Sequence, residues 1–188
     1  MGSEVSCQLT ADAVSALLND TPIDYCVSMS LDGIATLNDA LGGVEVTLED
    51  DFSALDPAMT AGTTLTLRGK QAEYFTRSRM AVGDGTNLSR LARQRVYIRA
   101  ASAVLRERLA ENAGFIRTLF NKLEDYLYMD LSRGAFYNLA DKADRYEILP
   151  IVEIEGTTTI GAYDYVEFYP DEDALRRVIA DTLYERVD

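Results

Sequence analysis

Gly42-Gly43 separates two hydrophobic periods. Before it, Leu31, Ile34, Leu37, Asn38 and Leu41 recur at three- and four-residue steps, which predicts a helix over 31–41. After it, Val44-Glu45-Val46-Thr47-Leu48 alternates apolar and polar side chains, which predicts a half-buried strand. Adjacent glycines are where a helix stops, because only they take left-handed backbone freely. A helix delivered straight into a strand has to fold back over it, so the chain is α/β. The same switching recurs elsewhere. Helices are expected at 10–20 with Thr10 as N-cap, 70–79, 87–109 with Thr86 or Asn87 as cap, 115–128, 132–143 from Ser132, and 171–187. Strands are expected at 23–29, 63–67, 146–154 and 162–169. No internal repeat or linker interrupts the 188 residues, so residues 1–188 read as a single domain.

Composition removes several chemistries. There is no histidine, so imidazole acid–base relays and His-ligated zinc are out. Cys7 and Cys26 lack C-x-x-C spacing and are expected to be free thiols, although spacing leaves their pairing open. Net charge is -13, which opposes nucleic-acid binding. The longest apolar stretches fall well below the ~18–20 residues of a membrane span. Met1-Gly2-Ser3-Glu4 does not open a signal peptide, so the chain as given is expected to be soluble.

The charge is uneven. From Arg68 to Arg99 stand eight bases, seven of them Arg, against only Glu73 and Asp84. Guanidinium forks suit bidentate phosphate binding. In the predicted long helix, Arg90, Arg93, Gln94 and Tyr97 share one face, and Leu91, Ile98 and Leu105 share another, expected to be the core face. Cations in the first turns of a helix oppose its dipole, unless an anion is held there. Arg77 and Arg79 end the preceding helix, and the Gly83-Asp84-Gly85 loop turns the chain back toward Arg90. The expectation is that Arg77, Arg79, Arg90 and Gln94 meet around one diphosphate. Asp84 is then either a Mg²⁺ ligand or an ordinary Asp-Gly turn residue.

Four segments carry a resemblance. They are Asp39-Ala40-Leu41-Gly42-Gly43-Val44-Glu45-Val46, Leu67-Arg68-Gly69-Lys70-Gln71-Ala72, Arg77-Ser78-Arg79, and Arg90-Leu91-Ala92-Arg93-Gln94. In order and spacing the chain resembles the LytR-CpsA-Psr family of bacterial envelope enzymes, most specifically over 24–100. The resemblance implies a three-layer α-β-α domain with a central mixed sheet and an apolar pocket for a lipid tail. It implies a phosphotransferase that moves a glycopolymer from a polyprenyl pyrophosphate carrier onto peptidoglycan, with Mg²⁺ on the pyrophosphate. Arg77, Arg79 and Arg90 become the catalytic positions. Arg93, Gln94, Lys70 and Asn87 become substrate-binding positions, and Asp84 the metal position. The location implied is the extracytoplasmic face of the cell membrane, reached through an anchor absent from this chain.

The likeness also has gaps. Asn87 stands where the family often has an acid, and no Ser-x-Pro-Arg-Asp segment is present. The chain is therefore expected to correspond to the C-terminal two-thirds of such a domain, without its N-terminal strands. A non-catalytic module binding polyprenyl pyrophosphate or anionic glycan is the alternative reading. A transcription regulator is disfavoured by the acidic total and the absence of a helix-turn-helix pattern. Tyr74, Phe75 and Tyr97 read as core, Tyr163, Tyr165, Phe168 and Tyr169 as strand packing, and Glu49, Asp50, Asp51 and Asp56 as a solvated acidic loop.

Overall fold

A computed structural model describes residues 4–80, 82–142 and 151–184. The elements, in order, are α1 (Glu4–Leu17), β1 (Val27–Met29), α2 (Asp32–Leu41), β2 (Val44–Thr47), β3 (Thr64–Leu67), α3 (Lys70–Arg77) and α4 (Asn87–Glu111). Then come α5 (Phe115–Leu123), a 3-10 turn (Glu124–Tyr126), β4 (Leu127–Met129), α6 (Arg133–Ala140), β5 (Gly156–Ile160), β6 (Val166–Pro170) and α7 (Glu172–Leu183).

The mixed α/β class is as expected. The described strands, however, form three separate two-stranded antiparallel pairs, β1 with β4, β2 with β3 and β5 with β6, and no central mixed sheet joins them. The alternation at Val44–Thr47 likewise argues against helices on both faces of β2. Val44 and Val46 are buried while Glu45 and Thr47 are exposed, the pattern of a sheet with one wet face. A strand covered by helices on both sides would be apolar throughout.

The main core lies under β2 and β3. Leu41, Val44, Val46, Leu48, Phe52, Met59, Leu67, Phe75 and Tyr97 pack there from six segments. A second cluster, Ile116, Leu119 and Leu123 of α5, meets the other side of α2. Two tight joints bind the first core. Gly43, at φ 93°, lets the chain pass β3 so closely that a Cβ would sit 2.5 Å from Thr66 Cγ2. Asn38 is fully buried and donates through Nδ2 to the Leu67 carbonyl at 2.7 Å.

Several expectations are corrected. Thr10 lies inside α1, not at its start, because its hydroxyl donates back to the Ser6 carbonyl at 2.8 Å. The helix expected to reach 128 stops at Leu123, and the chain becomes β4, which pairs with β1. Of the strand expected at 146–154, residues 146–150 lie outside the described residues, and 151–154 form no strand. β5 instead occupies 156–160. The β5–β6 hairpin carries its aromatics outward: Tyr163 is 83% exposed, and Tyr165, Phe168 and Tyr169 are also exposed, contrary to the packing expected of them. The cap expected at Ser132 holds, accepting from the Ala135 N–H, and the last helix begins at Asp171 as expected, its side chain accepting from the Ala174 N–H.

Candidate functional site

The segments that share the family likeness are joined in space by hydrogen bonds. The Asp39 carboxylate accepts from the Gly69 N–H at 2.8 Å, and Arg68 Nη1 donates to the Gly42 carbonyl at 2.6 Å. Gln71 accepts from the Arg68 N–H and donates to the Asp56 carboxylate. α3 is thereby fixed at its start. Its end is fixed by α4.

α3 is only eight residues long, and its last carbonyls lack partners within the helix. Arg93 and Gln94 supply them. Arg93 Nε donates to the Phe75 carbonyl at 3.1 Å, Arg93 Nη2 to the Ser78 carbonyl, and Gln94 Nε2 to the Thr76 carbonyl at 3.0 Å. Arg93 is just 7% exposed. Its charge is met by Asp50, whose Oδ2 lies 2.7 Å from Nη1, and Nη1 also donates to Ser89 Oγ at 2.8 Å. The guanidinium sits 5.4 Å from the Phe52 ring centroid. Thus Arg93 opposes the dipole of its own helix but suits the C-terminal end of α3, and the anion beside it is a carboxylate of the protein itself.

This changes the assignment of faces on α4. Leu91 and Ile98, expected in the core, are exposed, Ile98 by 56%. The buried residues are Arg93 and Tyr97, followed by the partly buried Ala100, Ala101, Val104 and Leu105, the last of which packs against the core as expected. The Arg-bearing face is the inward face. Tyr97 and Phe75 are core residues as expected, and Tyr74 is half-buried. Burial first, and the negative charge of Asp39 second, push the Tyr97 phenol above its ordinary range.

Of the other expected site residues, all but Lys70 border this α3–α4 junction. Arg77, the last residue of α3, is exposed and forms a surface pair with Glu73 one turn back at 2.7 Å. Arg79 is exposed, and its carbonyl lies beside the Gly83–Gly85 loop, accepting from the Val82 N–H. Arg90, in the first turn of α4, donates from Nη2 to Asn87 Oδ1 at 2.5 Å. Its Nε is buried and has no hydrogen-bond partner among the described residues. Lys70 is at the opposite end of α3, about 10 Å along the axis from Arg77 at the ordinary helical rise, so it does not join them.

Asp84 accepts from both the N–H and the hydroxyl of Thr86, at 2.9 and 2.7 Å. The backbone N–H of Thr86 is the first cause that holds its carboxyl below the usual range, and the Thr86 hydroxyl the second. Asp84 is therefore an Asx turn residue and fully ionised at neutral pH. Thr86 in turn caps α4 through the Ser89 N–H at 3.1 Å. No cluster of three acids gathers among the described residues. Mg²⁺ is satisfied by one or two protein carboxylates with water and phosphate oxygens, so Asp84 fits one ligand of such an ion and no more.

Asp50 was the residue hardest to foresee. It stands in the acidic loop expected to be solvated, yet it is partnered to Arg93 and Ser89. The loop is anchored elsewhere too, with Asp51 accepting from Ser53, and Asp56 from Ala58 and Gln71. The signal available in the sequence was Gly83: a Cβ there would stand 2.5 Å from Asp50 Oδ1, so glycine marks a close approach.

The LytR_cpsA_psr family model matches residues 4–180, well beyond the 24–100 where the likeness is most specific. The polyisoprenyl-teichoic acid–peptidoglycan teichoic acid transferase TagU of Halalkalibacterium halodurans is 37% identical over 93 residues, which make up 50% of this chain and 30% of that protein. The match thus spans under a third of that curated relative. Among solved structures, TagU of B. subtilis superposes with a TM-score of 0.63 at 25% identity, covering 97% of this chain and 74% of that one. Protein gbs0355 of Streptococcus agalactiae gives a TM-score of 0.77 at 22% identity, covering 97% and 65%.

Proposed function

Because the chain belongs to the LytR_cpsA_psr family, we propose that the α3–α4 junction grips the diphosphate of a polyprenyl-linked glycopolymer. The glycopolymer phosphate then passes to peptidoglycan at the outer face of the cell membrane. The observation that carries this reading is Arg90. Its Nε is buried without an acceptor, and an unmet buried donor costs about 1–3 kcal/mol. A phosphate oxygen would satisfy it.

Arg77 and Arg79 reach the same junction from the other element. The Arg77–Glu73 pair is a surface pair on one helix, worth only a few tenths of a kcal/mol, so a diphosphate displaces Glu73 easily. Three guanidinium groups then spread the charge of the bridging and terminal oxygens. That matters because the transition state of phosphoryl transfer is stabilised chiefly by placed charge. A peptidoglycan hydroxyl attacks the glycopolymer phosphorus, and polyprenyl monophosphate leaves. Asn87 holds Arg90 in place, and Gln94 ties α4 to Thr76. Bound Mg²⁺ would add charge neutralisation on the diphosphate, with the ionised Asp84 as its protein carboxylate.

The test is titration with geranyl diphosphate. Arg79→Ala should weaken binding roughly 10- to 150-fold, the loss of one charge-assisted contact of about 1.5–3 kcal/mol. Equal binding by the variant discards the site. Because no acid cluster gathers among the described residues, a second outcome is meaningful: binding without Mg²⁺-dependent release of monophosphate selects a diphosphate-binding module over a transferase.

A further inference from the structure

Arg93 does not stand among the exposed arginines but behind them. Its Nε, Nη1 and Nη2 are all engaged with the protein, and its side chain is buried. The two carbonyls it holds, those of Phe75 and Ser78, bracket Arg77, and that of Ser78 immediately precedes Arg79. Past Arg77 the backbone leaves the helix, with Ser78 extended at φ -62° and ψ 137°. An extended segment has no helical ladder to set its direction. Here the fork of Arg93 sets it.

Asp50 completes the lock. It neutralises Arg93, accepts from Ser89 Oγ at 3.3 Å, and lies against Gly83. One carboxylate thus touches the first turn of α4, the Arg93 fork and the loop that carries Asp84.

We infer that Arg93, oriented by Asp50, is a positioning residue for the diphosphate site: it aims Arg77 and Arg79 by holding the carbonyls that flank Arg77, the second of which directly precedes Arg79. The inference rests on the function proposed above for those arginines and assigns Arg93 no contact with the ligand. A lysine keeps the charge but has no planar fork, so it cannot hold both carbonyls and Asp50 together.

Calorimetric titration of the 188-residue chain with geranyl diphosphate tests this, with hydrogen exchange as an arm free of ligand. Arg93→Lys should weaken binding about tenfold or more, since small misplacements of a binding group carry losses of that size. Combined with Arg79→Ala, it should add little, because the group it aims has gone. Amides of 75–80 and 82–86 should exchange faster while those of β2 and β3 keep their protection. Asp50→Asn, which retains an acceptor, is the second variant and should shift both readings the same way. Fully additive losses would mean that Arg93 itself touches the ligand, which overturns positioning. So would unchanged binding in both variants, exchange that rises equally across β2 and β3, or collapse of the fold in both. Failure of the native chain to bind geranyl diphosphate removes the proposed function itself and, with it, the task given to Arg93. Native binding that is indifferent to Arg93 removes the positioning role alone.

Discussion

Replacing Asn38 by alanine probes the joint on which the whole α2–β3–α4 assembly turns. The Asn38 side chain is completely buried and donates to the Leu67 carbonyl at 2.7 Å, a well-formed bond. Its Oδ1 faces the Tyr97 hydroxyl at 3.4 Å, too long to contribute more than a few tenths of a kcal/mol. Alanine deprives a buried carbonyl of its donor, a cost of about 1–3 kcal/mol. The space vacated by the amide adds about 1 kcal/mol for a void of methyl size. The expected loss is therefore about 2–4 kcal/mol. For a chain of this length each kcal/mol lowers Tm by about 2–4 °C, so 3 kcal/mol corresponds to about 6–12 °C. Urea unfolding followed by circular dichroism measures it, with an unchanged slope showing that only stability moved. A loss under about 1 kcal/mol at constant slope would refute the view that this amide is a satisfied link between elements.

Two further outcomes follow from local geometry. The Tyr97 phenol has a raised pKa through burial and Asp39, so the folded state keeps its proton above pH 10 while the unfolded state releases it. Stability is then lost as pH rises beyond 10, by up to about 1.4 kcal/mol per pH unit from this group. Tyr97→Phe should flatten that alkaline decline in melting scans from pH 8 to 11, and an identical slope would contradict the assignment. Thr86→Ala removes the α4 N-cap at Ser89 and should cost about 1 kcal/mol in denaturant unfolding, with no change indicating that the cap is dispensable.

Where local chemistry decides the outcome, the residues announced it. Gly42-Gly43, the alternation of Val44–Thr47, the caps at Thr86, Ser132 and Asp171, and the burial of Phe75 and Tyr97 all appear where patterns of period, cap and turn put them. The likeness that runs through Asp39, Gly69, Gln71, Arg77 and Arg90 was also readable. What each of those residues does was not. Asp39 and Gln71 are internal ties, while Arg90 carries a buried donor with no acceptor among the described residues.

The limits are clearest on α4. Apolar period there pointed to Leu91, Ile98 and Leu105 as the core stripe, yet only Leu105 packs against the core, and the face bearing Arg93 and Tyr97 is buried. A buried guanidinium is tolerable only beside a carboxylate and carbonyl acceptors. Those come from Asp50, 43 residues earlier in the chain, and from the frayed end of α3. The separate strand pairs have a similar origin. Period along a strand reports which face is wet, but not which strand lies alongside it, as β1 and β4 show across a hundred residues. Helical stops, caps and strand faces depend on neighbours within a few positions, so sequence alone determines them. The partner of a buried charge, and hence which arginine turns inward and which is left for a ligand, depends on chain segments that only folding brings together.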